Sequence, residues 1–145
     1  MTTDRGTLQL FYERDWTPLS YRDWSMAVQE ANYSLDHVSF GHEVEAAFLM
    51  LEAAEVLGQD PTPTLRMGRR MVDHALTHGW DAREGGLHDG GFRIGPDSVR
   101  IVRSTKAWWA QAEALHTFVL MERRFPNAPR NYGAKARAYS HARRS

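Results

Sequence analysis

Apolar positions along the chain fall into two kinds of helical segment joined by alternating and glycine-rich stretches. From Gly41 to Gly58 the residues are strong helix formers without proline, closed by a glycine suited to a left-handed terminal position. At about 100° per residue, Val44, Phe48 and Leu51 point one way, Ala46, Leu49 and Ala53 nearly the opposite way, and Met50 and Leu57 lie between. A helix apolar on every side belongs inside a structure. The next segment starts at Asp60-Pro61-Thr62-Pro63 and stops at Gly79; Leu65, Met67, Met71, Val72, Ala75 and Leu76 share one side, opposite Arg66, Arg69, Arg70, Asp73 and Thr77. That pattern is an outer helix with one wet face. From Thr105 to about Arg124 the pattern is inner again: Trp108, Trp109, Leu115, Phe118, Val119, Leu120 and Met121 point in every direction, and Lys106, Gln111, Glu113 and His116 fall in the first half.

If consecutive helices are antiparallel, the two inner ones run parallel and their first turns meet at one end. His42, Glu45, Trp109, Gln111 and Glu113 then line one cavity mouth, and His42 with Glu45, three apart in one turn, form a buried pair with acid/base potential. The long connection from Trp80 to Ser104 predicts a hairpin, with Ser98 to Arg103 behind a Gly95-Pro96-Asp97 turn, hanging over that mouth. Before the first inner helix, Met1 to Gly6 read as loose, Thr7 to Tyr12 as a short strand or, with the turn Glu13 to Pro18, a hairpin, and Trp24 to Tyr33 as a second strand or an irregular segment; Asp36 or Ser39 is the expected cap.

A length of 145 residues fits one domain able to bury roughly 70% of its unfolded surface. Acidic and basic side chains balance to zero net charge, so no global field recruits nucleic acid. The absence of cysteine excludes disulfides and thiolate metal sites, and no membrane span or signal peptide is visible, which makes a cytoplasmic protein the expectation. Residues 126–145 carry Arg130, Lys135, Arg137, Arg143 and Arg144 with no acid, and read as a loose basic tail with at most a short helix around Ala134 to Ala142, beyond a domain of residues 1–125.

Four segments, Ser39-Phe40-Gly41-His42-Glu43-Val44-Glu45-Ala46, Leu51-Glu52-Ala53-Ala54-Glu55-Val56-Leu57-Gly58, Gly85-Gly86-Leu87 and Lys106-Ala107-Trp108-Trp109-Ala110-Gln111-Ala112-Glu113, resemble in order and spacing the N-acylglucosamine 2-epimerase superfamily, which includes cellobiose 2-epimerases. The resemblance implies an all-α fold, part of an (α/α)6 barrel with small β-hairpins at the cavity mouth, and proton transfer at C2 of an open-chain sugar without a cofactor. It implies His42 as an acid/base residue, Glu45 as orienting the sugar and assisting ring opening, and Trp109, Glu113 and, less directly, Trp108 as pocket residues. It implies a mono- or disaccharide as ligand. Family enzymes are several hundred residues long; the second acid/base histidine and an upstream histidine and arginine have no match, and His141 lacks the matching context. A homo-oligomer or a complementing chain is the corresponding partner expectation.

Blander alternatives accompany these. One or both tryptophans serve as core, and Glu113 serves as partner of Lys106 or an arginine. Glu45 with Glu113 as a glycosidase pair is the rival enzyme, although that chemistry has no need of the histidine. Glu113-x-x-His116 has di-iron spacing but lacks the second such motif, so no metal is expected. The non-catalytic alternative is a truncated barrel.

Overall fold

The computed structural model describes residues 6–95 and 97–141. Its frame is a pair of helical hairpins. Helix α1 spans Met26–Ala31; the first hairpin joins α2, Phe40–Val56, to α3, Thr62–His78; the second joins α4, Trp108–Arg124, to α5, Tyr132–His141. Ser39 caps α2 by accepting from the His42 N–H, and Gly58, at φ 62°, turns the chain after its last turn. Asp60 Oδ1 accepts from the Thr62 N–H at 2.9 Å, and the prolines at 61 and 63 start α3 as the sequence indicates.

Helices α2 and α3 run antiparallel: the Phe40 ring packs on Gly79, Glu43 bonds His74, and Gly68 lies against Ala47, where a Cβ would come within 3.2 Å of the Ala47 carbonyl oxygen. Helix α4 runs parallel to α2, as the inner–outer–inner order predicts. Trp109 sits at Gly41, the Thr117 hydroxyl donates to the Val44 carbonyl at 2.9 Å, Phe48 meets His116, and Arg124 pairs with Glu55 at the far end. Val44, Ala47, Leu51, Met71, Val72, Ala75, Ala114, Phe118 and Met121 fill the space between the helices.

The tail departs from the expectation of looseness. Helix α5 packs antiparallel on α4, with the Gly133 N–H donating to Glu122 at 2.9 Å and Tyr139 beside Phe118. Tyr132 is fully buried and its hydroxyl donates to Asp73 Oδ1 of α3 at 2.6 Å. One large aromatic with a polar tip holds a segment whose composition otherwise reads as solvated. Residues 142–145 lie outside the described set, as do 1–5; Gly6 is buried against Arg70.

A three-stranded antiparallel sheet, β1 (Val38–Ser39), β2 (Gly90–Gly95) and β3 (Ser98–Arg103), in that order, stands at the N-terminal end of α2 because β1 leads straight into it. The hairpin therefore lies at the expected end. The segment from Trp24 to Tyr33 holds the short helix α1 where a strand or irregular segment was expected, and Thr7 to Tyr12 forms no extended strand but folds back through the turn at 13–16 as a hairpin, with Tyr12 bridging Pro18 and the Leu19 N–H donating to the Phe11 carbonyl at 3.1 Å. Gln29, buried, ties α1 down by donating to the Arg22 and Trp24 carbonyls, bonds that alternation alone does not reveal.

The inner helices are buried only on the sides that meet each other and the outer layer. Leu49 is 48% exposed, Leu115 41% and Val119 39%, so the apolar far sides predicted to be enclosed stay open and a complete ring of hairpins is not present among the described residues. None of the described helices is long and apolar enough to cross a membrane.

Tyr132→Ala should cost about 3–5 kcal/mol and Tyr132→Phe about 1 kcal/mol in denaturant unfolding. An unchanged midpoint for the alanine variant would show that α5 does not belong to the cooperative unit.

Candidate functional site

The site is built from the first turns of two parallel helices. Helix α2 presents His42 and α4 presents Trp109, with ring centroids 5.1 Å apart and planes tilted by 55°. Gly41 makes this possible: a Cβ there would fall 2.7 Å from the Trp109 ring and 2.8 Å from the Ala110 Cβ, so any other residue would push α4 away. Sequence reading places both aromatics at one end; it gives no sign that the glycine between them is what lets them meet. The His42 ring is exposed on its outer side and held by Ser39 on the other, with Ser39 Oγ 2.7 Å from His42 Nδ1.

Glu45 lies one turn below Gly41 on the open side of α2, half-buried, and Glu113 lies one turn below Trp109, also half-buried. Neither has a recorded hydrogen bond or ion pair among the described residues, so both carboxylates are open to a ligand. Lys106, the alternative partner for Glu113, instead pairs with Asp81 at 2.7 Å, and this holds the Asp81 carboxyl well below the usual carboxylate range. Trp108, at 80% exposure, projects from a different side of α4 than Trp109, 100° round the helix. The structure thus brings His42 and Trp109 together and leaves Trp108 apart.

The buried acid of the motif is not Glu45. Glu43 is 1% exposed and shares a hydrogen bond with His74 Nδ1 of α3 at 2.8 Å, while its other oxygen is buried without a hydrogen-bond partner among the described residues. Burial pushes the Glu43 carboxyl above its ordinary value, and the His74 bond opposes that rise. The His78 ring lies 4.6 Å from that of His74, tilted by 46°, and burial pushes its imidazole below the ordinary value. A 3.6-residue wheel puts Glu43 on the α3 side of α2, but only the partner on α3 makes a carboxyl there tolerable.

Around the mouth, side chains fix the backbone. Gln111, expected to line the cavity, instead clamps the glycine-rich loop: its amide accepts from the Leu87 N–H and donates to the Leu87 carbonyl, both at 2.9 Å. Asp89 accepts from the Ala107 N–H at 2.6 Å and from the Thr105 hydroxyl, capping the approach to α4. The Arg103 guanidinium covers Tyr33, on which His37 stacks at 4.5 Å; burial pushes the His37 imidazole below its ordinary value. An open groove of about 500 Å³ lined by Glu84, Gly86, Lys106, Gln111 and Tyr139 lies between the loop and α5, and contains none of His42, Glu45, Trp109 or Glu113. Concavity and chemistry do not coincide because, among the described residues, nothing faces the open sides of α2 and α4.

Parallel inner helices, antiparallel outer ones and an imidazole–indole pair at one end define an α/α-hairpin protein with its site at the N-terminal ends of the inner helices. The sequence profile of the N-acylglucosamine 2-epimerase family matches residues 1–143, and the chain belongs to that family. It is 33% identical over 81 residues to the cellobiose 2-epimerase of Ruminococcus albus, an alignment covering 56% of this chain and 19% of that protein. A sugar epimerase from a ruminal bacterium superposes with a TM-score of 0.69 at 20% identity, over 93% of this chain and 29% of the other. A D-mannose isomerase gives 0.70 at 23% identity over 90% and 31%. The cellobiose 2-epimerase of Spirochaeta thermophila gives 0.60 at 27% identity over 92% and 28%. The chain thus spans under a third of each of these relatives.

The raised Glu43 carboxyl has a thermodynamic consequence. Because the folded value lies above the unfolded one, its stabilising contribution is complete below about pH 4.5 and is lost as pH rises through the folded value. Glu43→Gln lacks that dependence, so its melting temperature should gain on the wild type as pH climbs from 4.5. A difference that stays flat or moves the other way in thermal melts across this range would contradict the assignment.

Proposed function

We propose that this chain carries part of a sugar 2-epimerase or isomerase site, in which His42 exchanges a proton at C2 of an open-chain aldose while Glu45, Trp109 and Glu113 hold the sugar. The single observation supporting this is the His42–Trp109 pair, 5.1 Å apart at the same end of two parallel helices. The chemistry follows from the groups. Loss of the C2 proton to a base leaves its electron pair conjugated with the C1 carbonyl as an enediolate, and return of a proton to the opposite face inverts C2. Imidazole, with an ordinary value near about 6.5, gives and takes protons near neutrality. The indole face suits the C–H surface of a pyranose, and the unengaged Glu45 and Glu113 suit its hydroxyls. Trp108 stays a peripheral candidate for a second sugar unit of a disaccharide.

A second reading, the non-catalytic partial barrel, is favoured by the exposure of His42 and of the apolar side of α4 at Trp108, Leu115 and Val119. In it, the wall opposite His42 comes from a second copy or a complementing chain, or is never supplied.

Incubation of the purified chain with cellobiose, mannose and N-acetylglucosamine in heavy water separates these. Deuterium at C2 with epimer formation, reduced by at least about 10²-fold in His42→Ala, is the expected result. Release of glucose from cellobiose without C2 exchange would indicate hydrolysis through the two carboxylates instead, and no change in any sugar would support the inert barrel.

A further inference from the structure

The Ser39 hydroxyl does two things at once. As the cap of α2 its oxygen accepts from the His42 backbone N–H at 3.5 Å, and the same oxygen lies 2.7 Å from His42 Nδ1. Ser39 is 7% exposed, and among the described residues His42 is the one recorded partner of that hydroxyl. An amide N–H only donates, so one lone pair of Oγ is committed and the hydroxyl hydrogen still needs an acceptor. If Nδ1 carried a proton, it too would donate to Oγ, and the hydroxyl hydrogen would be stranded in a buried position. The satisfied arrangement has the hydroxyl donating into the Nδ1 lone pair. A neutral imidazole has a single N–H, which then sits on Nε2, the nitrogen across the ring from Ser39.

We infer that Ser39 is a positioning residue that sets neutral His42 as the Nε2–H tautomer, so that the site meets its ligand with a hydrogen-bond donor and not with a lone pair. The catalytic meaning of this rests on the role proposed for His42; the tautomer itself does not. In that role the resting imidazole donates to a sugar oxygen, such as the C1 carbonyl, where negative charge accumulates in the enediolate. For His42 to act as base at C2, the proton must leave Nε2 for solvent, another must arrive at Nδ1, and the Ser39 hydroxyl must rotate from donor to acceptor. The net proton count is unchanged, and the base form is the minor one. Trp109, whose ring lies 5.1 Å away at a 55° tilt, makes no hydrogen bond to either imidazole nitrogen among the described residues.

The test is nitrogen NMR of His42 in the full chain at a pH well above imidazole titration, with His42→Gln supplying the assignment. The wild type should show Nε2–H in about tenfold or greater excess over Nδ1–H. Ser39→Asp keeps a good helix cap but offers Nδ1 only acceptor oxygens, so the proton should move to Nδ1 while circular dichroism stays as in the wild type. Ser39→Thr keeps the hydroxyl and should keep Nε2–H, which preserves the test should the aspartate variant fail to fold. A wild-type imidazole protonated mainly at Nδ1, or a folded Ser39→Asp protein with an unaltered tautomer, overturns the inference. A tautomer that inverts as described in a chain giving no C2 exchange with any sugar upholds the Ser39 role and removes the epimerase reading alone.

Discussion

The close approach of α4 to the first turn of α2 is the constraint on which the rest of the arrangement depends. Gly41 has no Cβ, and the Trp109 ring and Ala110 methyl occupy the space one would fill. That contact fixes the parallel register of the two inner helices: Thr117 then reaches the Val44 carbonyl, His116 reaches Phe48 and Glu52, and Arg124 reaches Glu55. Side chains at intervals along both helices repeat the same alignment, so a displacement at the glycine would be felt down the whole seam, as expected of a close-packed interior. The indole that locks the helices together is also the one beside His42, which makes packing and site geometry a single feature here.

The loop and sheet matter because they hold the N-terminal ends of these helices. The first backbone N–H groups of a helix lack internal partners. At α2 they meet Ser39; at α4 the carboxylate of Asp89 accepts from Ala107 just before the helix begins, an anion where the helix dipole favours one. Gln111 and Lys106 then tie the glycine-rich loop to the start of α4 through Leu87 and Asp81. Gly86, at φ 88°, lies where a Cβ would meet the Gln111 side-chain oxygen at 2.8 Å, so its left-handed backbone and lack of side chain are both needed for the clamp.

Much of this was legible in the residue pattern. The helix boundaries near Gly58, Pro61 and Gly79, the parallel inner pair and the hairpin ending at Arg103 all follow from periodicity and punctuation, which are local properties. What escaped depends on partners distant in sequence. Glu43 reads as one more acid on a mixed helix until His74, on another element, is seen against it. The basic tail reads as loose until the Tyr132 hydroxyl is seen donating to Asp73 of α3. Gln111 was grouped with the cavity because its spacing is right, yet its amide is spent on the backbone of Leu87. His42 and Trp109 share the end that an antiparallel chain of helices predicts, but the buried His42–Glu45 pair that their spacing suggests does not form: the imidazole is exposed and no bond joins it to Glu45 among the described residues.

The two adjacent tryptophans show how one step of phase separates packing from exposure. Trp109 lies over Gly41 and is half-buried, whereas Trp108, one residue earlier, shares an open side of α4 with Ala112, Leu115 and Val119. Those positions recur at intervals of three and four, the spacing by which one helix packs against another. On α2 the exposed apolar positions are Leu49, Ala53 and Val56, again three and four apart. On α4 the polar positions Glu113 and His116 lie between the contact with α2 and the open apolar side, whereas on α2 the exposed Leu49 stands beside His42 and Glu45. A strip of that composition, placed so that a neighbouring inner helix in a closed ring would cover it, explains why sequence reading assigned both helices to the interior although each is covered only where it meets the other inner helix and its own outer helix.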